Sequence, residues 1–256
     1  MPDINPTAAN GFAKAAKAYA SGRPDYPPAL QAWLRQKLRL APGRTVLDLG
    51  SGTGKFLPLL LETGAYVIAI EPVGPMRAEL VARFPEADAR EGTATAIPVP
   101  DASVDAVTCA QSFHWFANAA ALAEIRRVLK PGGVLGLIWN QRDESVDWVA
   151  ALQALVESYK GRTPRHEHGE WRSVFPAPGF GPVEEAHFSH THRGTPEQVI
   201  VDRTLSISYV ASLPDAKRTK LAREIETLIA QTPALAGKDV VSFPYETLAI
   251  AVQKID

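Results

Sequence analysis

The chain has 256 residues, 46% of them hydrophobic, with a formal net charge of −1. That supports one good-sized core, most simply an α/β domain with decorations, and leaves no basic footprint for nucleic acid. A single cysteine, Cys109, excludes an internal disulfide framework and suits a reducing cytoplasm; no apolar run approaches a membrane span, and no signal-peptide pattern opens the chain.

Residues 1–10 are polar, and Ala8 to Ala20 favours a helix that ends at Ser21-Gly22 before Pro24. Residues 23–28 read as an extended turn, and 29–38 as a helix with Leu30, Trp33, Leu34 and Leu38 on one face. Thr45 to Leu49 is a short, mostly apolar run that reads as a buried parallel strand. It breaks at Gly50-Ser-Gly-Thr-Gly54, where glycines admit backbone conformations closed to other residues and let a ligand approach the main chain. A helix predicted over 54–63 would point the free N–H groups of its first turn at that ligand. This is the pattern of a nucleoside-cofactor loop.

Spacing and acids narrow the cofactor. A dinucleotide fingerprint needs a third glycine where Lys55 stands. Asp48, inside the strand end, would repel a pyrophosphate but suits a cationic ligand carrying a ribose. A second apolar run, Tyr66 to Ile70, ends in Glu71, where an acid that binds ribose hydroxyls belongs. The glycine turn alone reads equally as a plain tight turn; the two acids tip the reading to a site.

The rest of this half alternates helix and strand, which calls for a parallel sheet with right-handed crossovers. Helices are predicted over 74–84 and 117–128, and strands over 87–91, 104–109 and 133–139, the last entered through the turn Pro131-Gly-Gly133. Beyond Trp139 a helix is predicted over 145–159. A long connection rich in Pro, Gly, His and Arg follows over 161–182, then a sixth strand from Val183 to His192. Helices over 195–203 and 214–231 precede a closing strand from Val240 to Lys254.

The segments Val46-Leu-Asp-Leu-Gly-Ser-Gly-Thr-Gly54, Glu71 and Leu129-Lys-Pro-Gly-Gly133 resemble those of the class I S-adenosylmethionine-dependent methyltransferases. Within them the chain resembles the small-molecule branch labelled type 11, which includes the trans-aconitate methyltransferases. The likeness is strong over 40–140, weaker over Tyr19 to Tyr26, and fades after about 160. It implies a Rossmann-like α/β fold: a seven-stranded, mostly parallel sheet with an antiparallel last strand and helices on both faces. It also implies one domain over 1–256, with lid helices over 1–40, a cofactor core over 41–140, and acceptor-pocket decorations with the last two strands over 141–256.

The implied cofactor is S-adenosyl-L-methionine, with S-adenosyl-L-homocysteine as product. By resemblance, Asp48, Gly50, Ser51, Gly52 and Thr53 face the methionyl part and ribose, and Glu71 accepts both ribose hydroxyls. Pro72 and Met76 pack on the adenine, although Met76 reads equally as a core residue. Gly92, Thr93 and Ala94 line the adenine edge, with Thr95 where many relatives carry an acid. Gln111 and Phe113 close the pocket near the sulfonium. Tyr19 and Arg23 fall where relatives bind the cofactor carboxylate, a group an arginine suits geometrically; the alternative is that Arg23 and Tyr26 only anchor the lid.

His114, in Gln111-Ser-Phe-His-Trp-Phe116, is the candidate general base, or else a structural histidine packed on Trp115. Trp115, Asn140 and Arg142 are candidates for the acceptor side. Arg142 suits an acidic substrate, or pairs at the surface with Asp143 or Glu144. Strand alternation accounts for His190 and His192, there is no H-E-x-x-H, and no metal is expected. The leading reading is methyl transfer to a carboxylate or hydroxyl oxygen of a small molecule by a cytoplasmic monomer or weak homodimer, with no nucleic-acid or membrane partner. Its rivals are a non-catalytic S-adenosylmethionine-binding protein and a nicotinamide-dependent oxidoreductase.

Overall fold

A computed structural model describes residues 24–159 and 169–255. The predicted helix over 8–20, with Tyr19 and Arg23, lies outside the described residues, as does part of the connection over 161–182.

Strands β1 (Thr45–Leu49) and β2 (Tyr66–Ile70) fall where their apolar runs predict, and all but their first residues are buried. With β3 (Asp88–Arg90), β4 (Val104–Ala110), β5 (Leu129–Arg142), β6 (Phe180–Gly194) and β7 (Val241–Lys254) they form one sheet in the order β3-β2-β1-β4-β5-β7-β6. The pairings β1–β2, β1–β4, β2–β3 and β4–β5 are parallel, while β7 runs antiparallel to both β5 and β6. Helices α1 (Leu30–Gln36), α2 (Leu57–Glu62), α3 (Gly74–Arg83) and α4 (Ala119–Val128) cover the parallel part.

The sheet divides its side chains by the two-residue period of a strand. Leu47, Leu49, Val107, Leu135, Leu137 and Trp139 pack with Ala121, Leu122, Ile125 and Val128 of α4 on one face. Val46, Val67, Ala106, Val134 and Ile138 pack with Leu30 and Leu34 of α1 and with Leu57 and Leu60 of α2 on the other. The i, i+4 spacing of Leu30 and Leu34 makes that stripe, and each fully buried leucine contributes roughly 1.5–3 kcal/mol. Helix α4 begins at Asn118, whose side chain accepts the Ala121 N–H at 2.9 Å, a cap worth about 1 kcal/mol.

Two boundaries differ from expectation. Pro131-Gly-Gly133 does not separate β5 from the helix before it: pairing with β4 resumes across it, from Val104 with Leu129 to Ala106 with Val134, as a local irregularity in one long strand. The helix after the glycine loop starts at Leu57, not near 54, because the loop's own hydrogen bonds hold residues 50–54 in tight turns.

A third apolar cluster crowns the antiparallel end. There α5 (Asp147–Glu157), a π-helical turn (Glu197–Asp202) that runs into α6 (Arg203–Leu205), the short α7 (Ser208–Ala211) and α8 (Asp215–Gln231) pack against Val241, Phe243 and Tyr245 of β7. Trp148 and Tyr209 are buried in it as core aromatics, and Trp171 stacks on Trp139 with ring centroids 4.5 Å apart.

Candidate active site

Strand order reverses between β1 and β4, and open sheets bind ligands beyond the carboxyl ends of the strands at that point. A cleft opens there. It is lined by Asp48, Gly50, Ser51 and Gly52 from the β1 end, Glu71, Pro72 and Met76 from the β2 end, and Gly92, Thr93 and Ala94 from the loop after β3. Of the other residues predicted from the sequence, Gln111 and Trp115 after β4 and Asn140 of β5 also line it.

The glycine loop is shaped by its partners. Gly50 and Ser51 both donate their N–H to Ile70 C=O, at 2.8 and 3.1 Å, and Gly54 donates to Ser51 C=O at 2.9 Å. The Gly52 N–H donates to Glu71 Oε2 at 2.8 Å, and the Val73 N–H to Oε1 at 2.8 Å. Gly50 takes a φ of +73°, and a Cβ there would stand 2.7 Å from Ser112 Cβ, so no other residue fits. The loop amides of Gly50, Ser51 and Gly52 are spent in this way. Of the first-turn amides that the sequence aimed at a ligand, Gly54 donates to Ser51 C=O and Leu57 to Gly54 C=O. What the loop offers the cleft is the Glu71 carboxylate it has braced.

Asp48 sits opposite Thr108 in the β1–β4 register and is 1% exposed. Its Oδ1 accepts the Thr108 hydroxyl at 2.8 Å, and Ser51 Oγ donates to its main-chain carbonyl at 2.7 Å. Burial pushes its carboxyl up to about 6, against the opposing pull of Thr108 and Ser51, and the nearby Glu71 adds to the rise. Burial also raises Glu71, while the Val73 and Gly52 amides pull it down. Two buried acids thus face one space, and a cation there would relieve both.

A methyltransferase-domain family model matches residues 47–137, which span the glycine loop, Glu71 and β4. An uncharacterized methyltransferase of Mycobacterium tuberculosis is 40% identical over 239 residues, covering 93% of each chain. An uncharacterized methyltransferase-like protein of Schizosaccharomyces pombe is 36% identical over 239 residues, 92% of each. The chain belongs to the S-adenosylmethionine-dependent methyltransferases. Among solved structures, a protein assigned as a type II methyltransferase from Anaeromyxobacter dehalogenans aligns over 90% of this chain and 96% of its own, at 25% identity and a TM-score of 0.61.

Four residues singled out in the sequence do other work in this methyltransferase. Phe113 is fully buried in the core, edge-on to Phe116 with ring centroids 5.7 Å apart, and lies off the cleft. Thr53 is 1% exposed and also off the cleft wall. His114 accepts the Trp139 indole N–H at Nδ1, 3.3 Å away, and its ring lies 5.0 Å from that of Trp115. In a neutral imidazole that bond occupies the lone pair a base would use. Arg142 donates to Gln153 Oε1 at 3.1 Å and to Thr204 Oγ1 at 3.3 Å, with its guanidinium 5.7 Å from the Phe243 ring centroid. It ties β5 to α5 and α6 instead of facing the cleft.

Conversely, the cleft wall includes residues the sequence did not assign to it. Tyr26, packed edge-on to Phe56 at 4.8 Å, Lys55, Ser112, Phe116 and Arg203 all line it. Ser112 is placed by a 2.7 Å hydrogen bond from its hydroxyl to Leu49 C=O. Lys55 pairs with Asp25 at 2.6 Å, which brings the segment before α1 over the glycine loop. Asn140 does likewise from β5: its Nδ2 donates to Asp25 C=O at 3.3 Å while Oδ1 accepts the Thr247 hydroxyl at 2.6 Å. Arg203 carried no signal in the sequence, because a cation at the end of a predicted helix reads as surface.

Proposed function

We propose that this methyltransferase moves a methyl group from S-adenosyl-L-methionine to an oxygen of a small-molecule acceptor, a carboxylate or hydroxyl, with S-adenosyl-L-homocysteine as the second product. The observation that carries the reading is the pair Asp48 and Glu71, both buried and both facing one open cleft. When bound, the cofactor would supply a methyl on a positively charged sulfur: an O–CH3 bond would form to the acceptor as the S–CH3 bond breaks and a neutral thioether leaves, a hydroxyl acceptor also losing its proton to water. Glu71, its oxygens fixed by the Gly52 and Val73 amides, keeps lone pairs for two ribose hydroxyls. Asp48 would hold the cationic methionyl end, and Met76, Pro72 and the Gly92–Ala94 loop the adenine. Gln111, Trp115, Phe116 and Asn140 would wall the methyl group and exclude water, so that catalysis is mainly alignment in a dry site.

A carboxylate acceptor arrives as its own nucleophile and needs no base. That agrees with a His114 whose Nδ1 is engaged by Trp139, and with the likeness of the sequence motifs to the trans-aconitate methyltransferases. The oxidoreductase reading loses ground on the loop, whose amides are bonded internally instead of cradling a pyrophosphate. The buried lone cysteine in β4 is in keeping with a cytoplasmic enzyme. Calorimetric titration with S-adenosyl-L-homocysteine and with NADH tests the proposal: binding of the first and not the second is expected, and the reverse would overturn it.

A further inference from the structure

Arg203 opens α6 and lines the cleft; the next residue, Thr204, is bonded to Arg142 of β5, and Arg203 lies near His192 of β6, on the other side of β1 from the β2 end that carries Glu71. It is only 8% exposed, and its Nε and Nη1 are sealed from solvent with no hydrogen-bond partner among the described residues. Taking a guanidinium out of water with nothing opposite it is unfavourable, because the lost hydration is not replaced. Such a cost persists in a fold where a ligand brings the missing charge. The neighbouring ionisable groups do not bring it. Asp25 is engaged by Lys55, while burial first, and then the nearby Arg203 and Lys55, disfavour a proton on His192 of β6. Asp48 and Glu71 hold their hydrogen bonds at the β1 and β2 ends.

Building on the reading of the cleft as the S-adenosylmethionine site, we propose that Arg203 binds a carboxylate of the methyl acceptor. A guanidinium fork matches the two oxygens of a carboxylate and gives orientation as well as affinity. Two carboxylates have access to the cleft, the acceptor's and the cofactor's own α-carboxylate, and position favours the acceptor. The adenosine end is accounted for at β2 and the loop after β3, and the cationic end at Asp48 of β1. Arg203 lies near His192 of β6, and the next residue, Thr204, is bonded to Arg142 of β5, so it stands on the far side of the switch point from β2 and β3. The side chain that the sequence offered for this role, Arg142, is instead bonded to Gln153 and Thr204.

The test uses the full-length enzyme and its Arg203→Gln and Arg203→Lys variants. Each is titrated with S-adenosyl-L-homocysteine by calorimetry. The saturated complexes are then heated with benzoate, hexanoate or succinate and with the matching amides, and labelled S-adenosyl-L-methionine reports turnover on any acid that stabilises. The wild type is expected to be stabilised by at least one acid and not by its amide. Arg203→Gln is expected to bind that acid at least tenfold more weakly, with the affinity for S-adenosyl-L-homocysteine within about twofold of wild type. Should Arg203→Gln instead lose tenfold or more in S-adenosyl-L-homocysteine binding and keep the acid preference, the arginine serves the cofactor and the proposal is overturned. Acids and amides that act alike on the wild-type complex overturn it too, and that comparison decides even if Arg203→Gln does not fold. Arg203→Lys keeps the charge without the fork, and is expected to fall between wild type and Arg203→Gln. A wild type that binds no S-adenosyl-L-homocysteine removes the cofactor reading itself, which separates the two failures.

Discussion

Asp48→Asn separates what Asp48 costs the empty protein from what it gives the cofactor. Its carboxyl ionises near 6 in the fold against an ordinary 3.8. At about 1.4 kcal/mol per pH unit, the ionised, buried side chain costs the fold about 3 kcal/mol at neutral pH. The folded state holds the proton more tightly than the unfolded chain does. The stability conferred by the protonated form is therefore complete below about pH 4 and is lost as pH rises through about 6. Asparagine carries no such charge, and the pull of Thr108 on the ionised form is already contained in the net rise of the carboxyl to about 6. The ligand-free variant should then be about 3 kcal/mol more stable than wild type at pH 7.5, a rise of about 6–12 °C in Tm. The gap should close as the pH approaches 4. Affinity for S-adenosyl-L-methionine should fall at least tenfold in the variant. In the wild type it should weaken as pH drops below about 6, by up to tenfold per pH unit, since protonation removes the charge that faces the ligand. Scanning calorimetry from pH 4 to 8 and titration calorimetry from pH 5 to 7 read both effects. A variant no more stable than wild type at pH 7.5, with cofactor affinity intact, would refute the reasoning.

Glu71→Ala should cost about 2–4 kcal/mol in urea unfolding, because the Gly52 and Val73 amides lose their acceptors, and should weaken S-adenosyl-L-homocysteine binding at least tenfold; calorimetric affinity equal to wild type would count against the ribose role. His114→Ala should lower Tm through the buried Trp139 indole, by about 1–3 kcal/mol, while turnover on an acid acceptor stays within about threefold. A hundredfold loss of kcat in a folded variant would restore His114 as a base. Arg142→Ala should destabilise by about 1–3 kcal/mol by stranding Gln153 and Thr204. It should raise KM for an acid acceptor less than Arg203→Gln does, and steady-state kinetics of the two variants showing the opposite order would contradict the placement of both arginines.

The parallel half of the molecule was legible because β1, β2 and β4 are almost wholly buried and read as near-continuous apolar runs, while the half-buried β3, Asp88–Arg90, carries no such run. Thr45–Leu49 and Tyr66–Ile70 needed no other signal, and Asp48 and Glu71 stood out as acids set against such runs. The glycine loop was legible as a bend but not in its bonding. A one-dimensional pattern does not say that Ile70 C=O and Glu71 will take its amides, which shortens the helix behind it. Arg142 was expected at the cleft and Arg203 was not, for a related reason. Whether residue 142 or 203 looks into the cleft depends on how α5 and α6 settle on β5 and β7, and nothing local to either residue encodes that.

The place of β7 bears on how the wall beside the acceptor is assembled. This strand is the last in chain order, yet it lies between two strands made before it. Until it is inserted, β6 has no neighbour in the sheet, and Asn140 lacks the Thr247 hydroxyl that steadies it from the far side. A chain that lacked residues 241–254 would therefore lose the strand that joins β5 to β6, and with it the hydroxyl that holds Asn140 at the cleft.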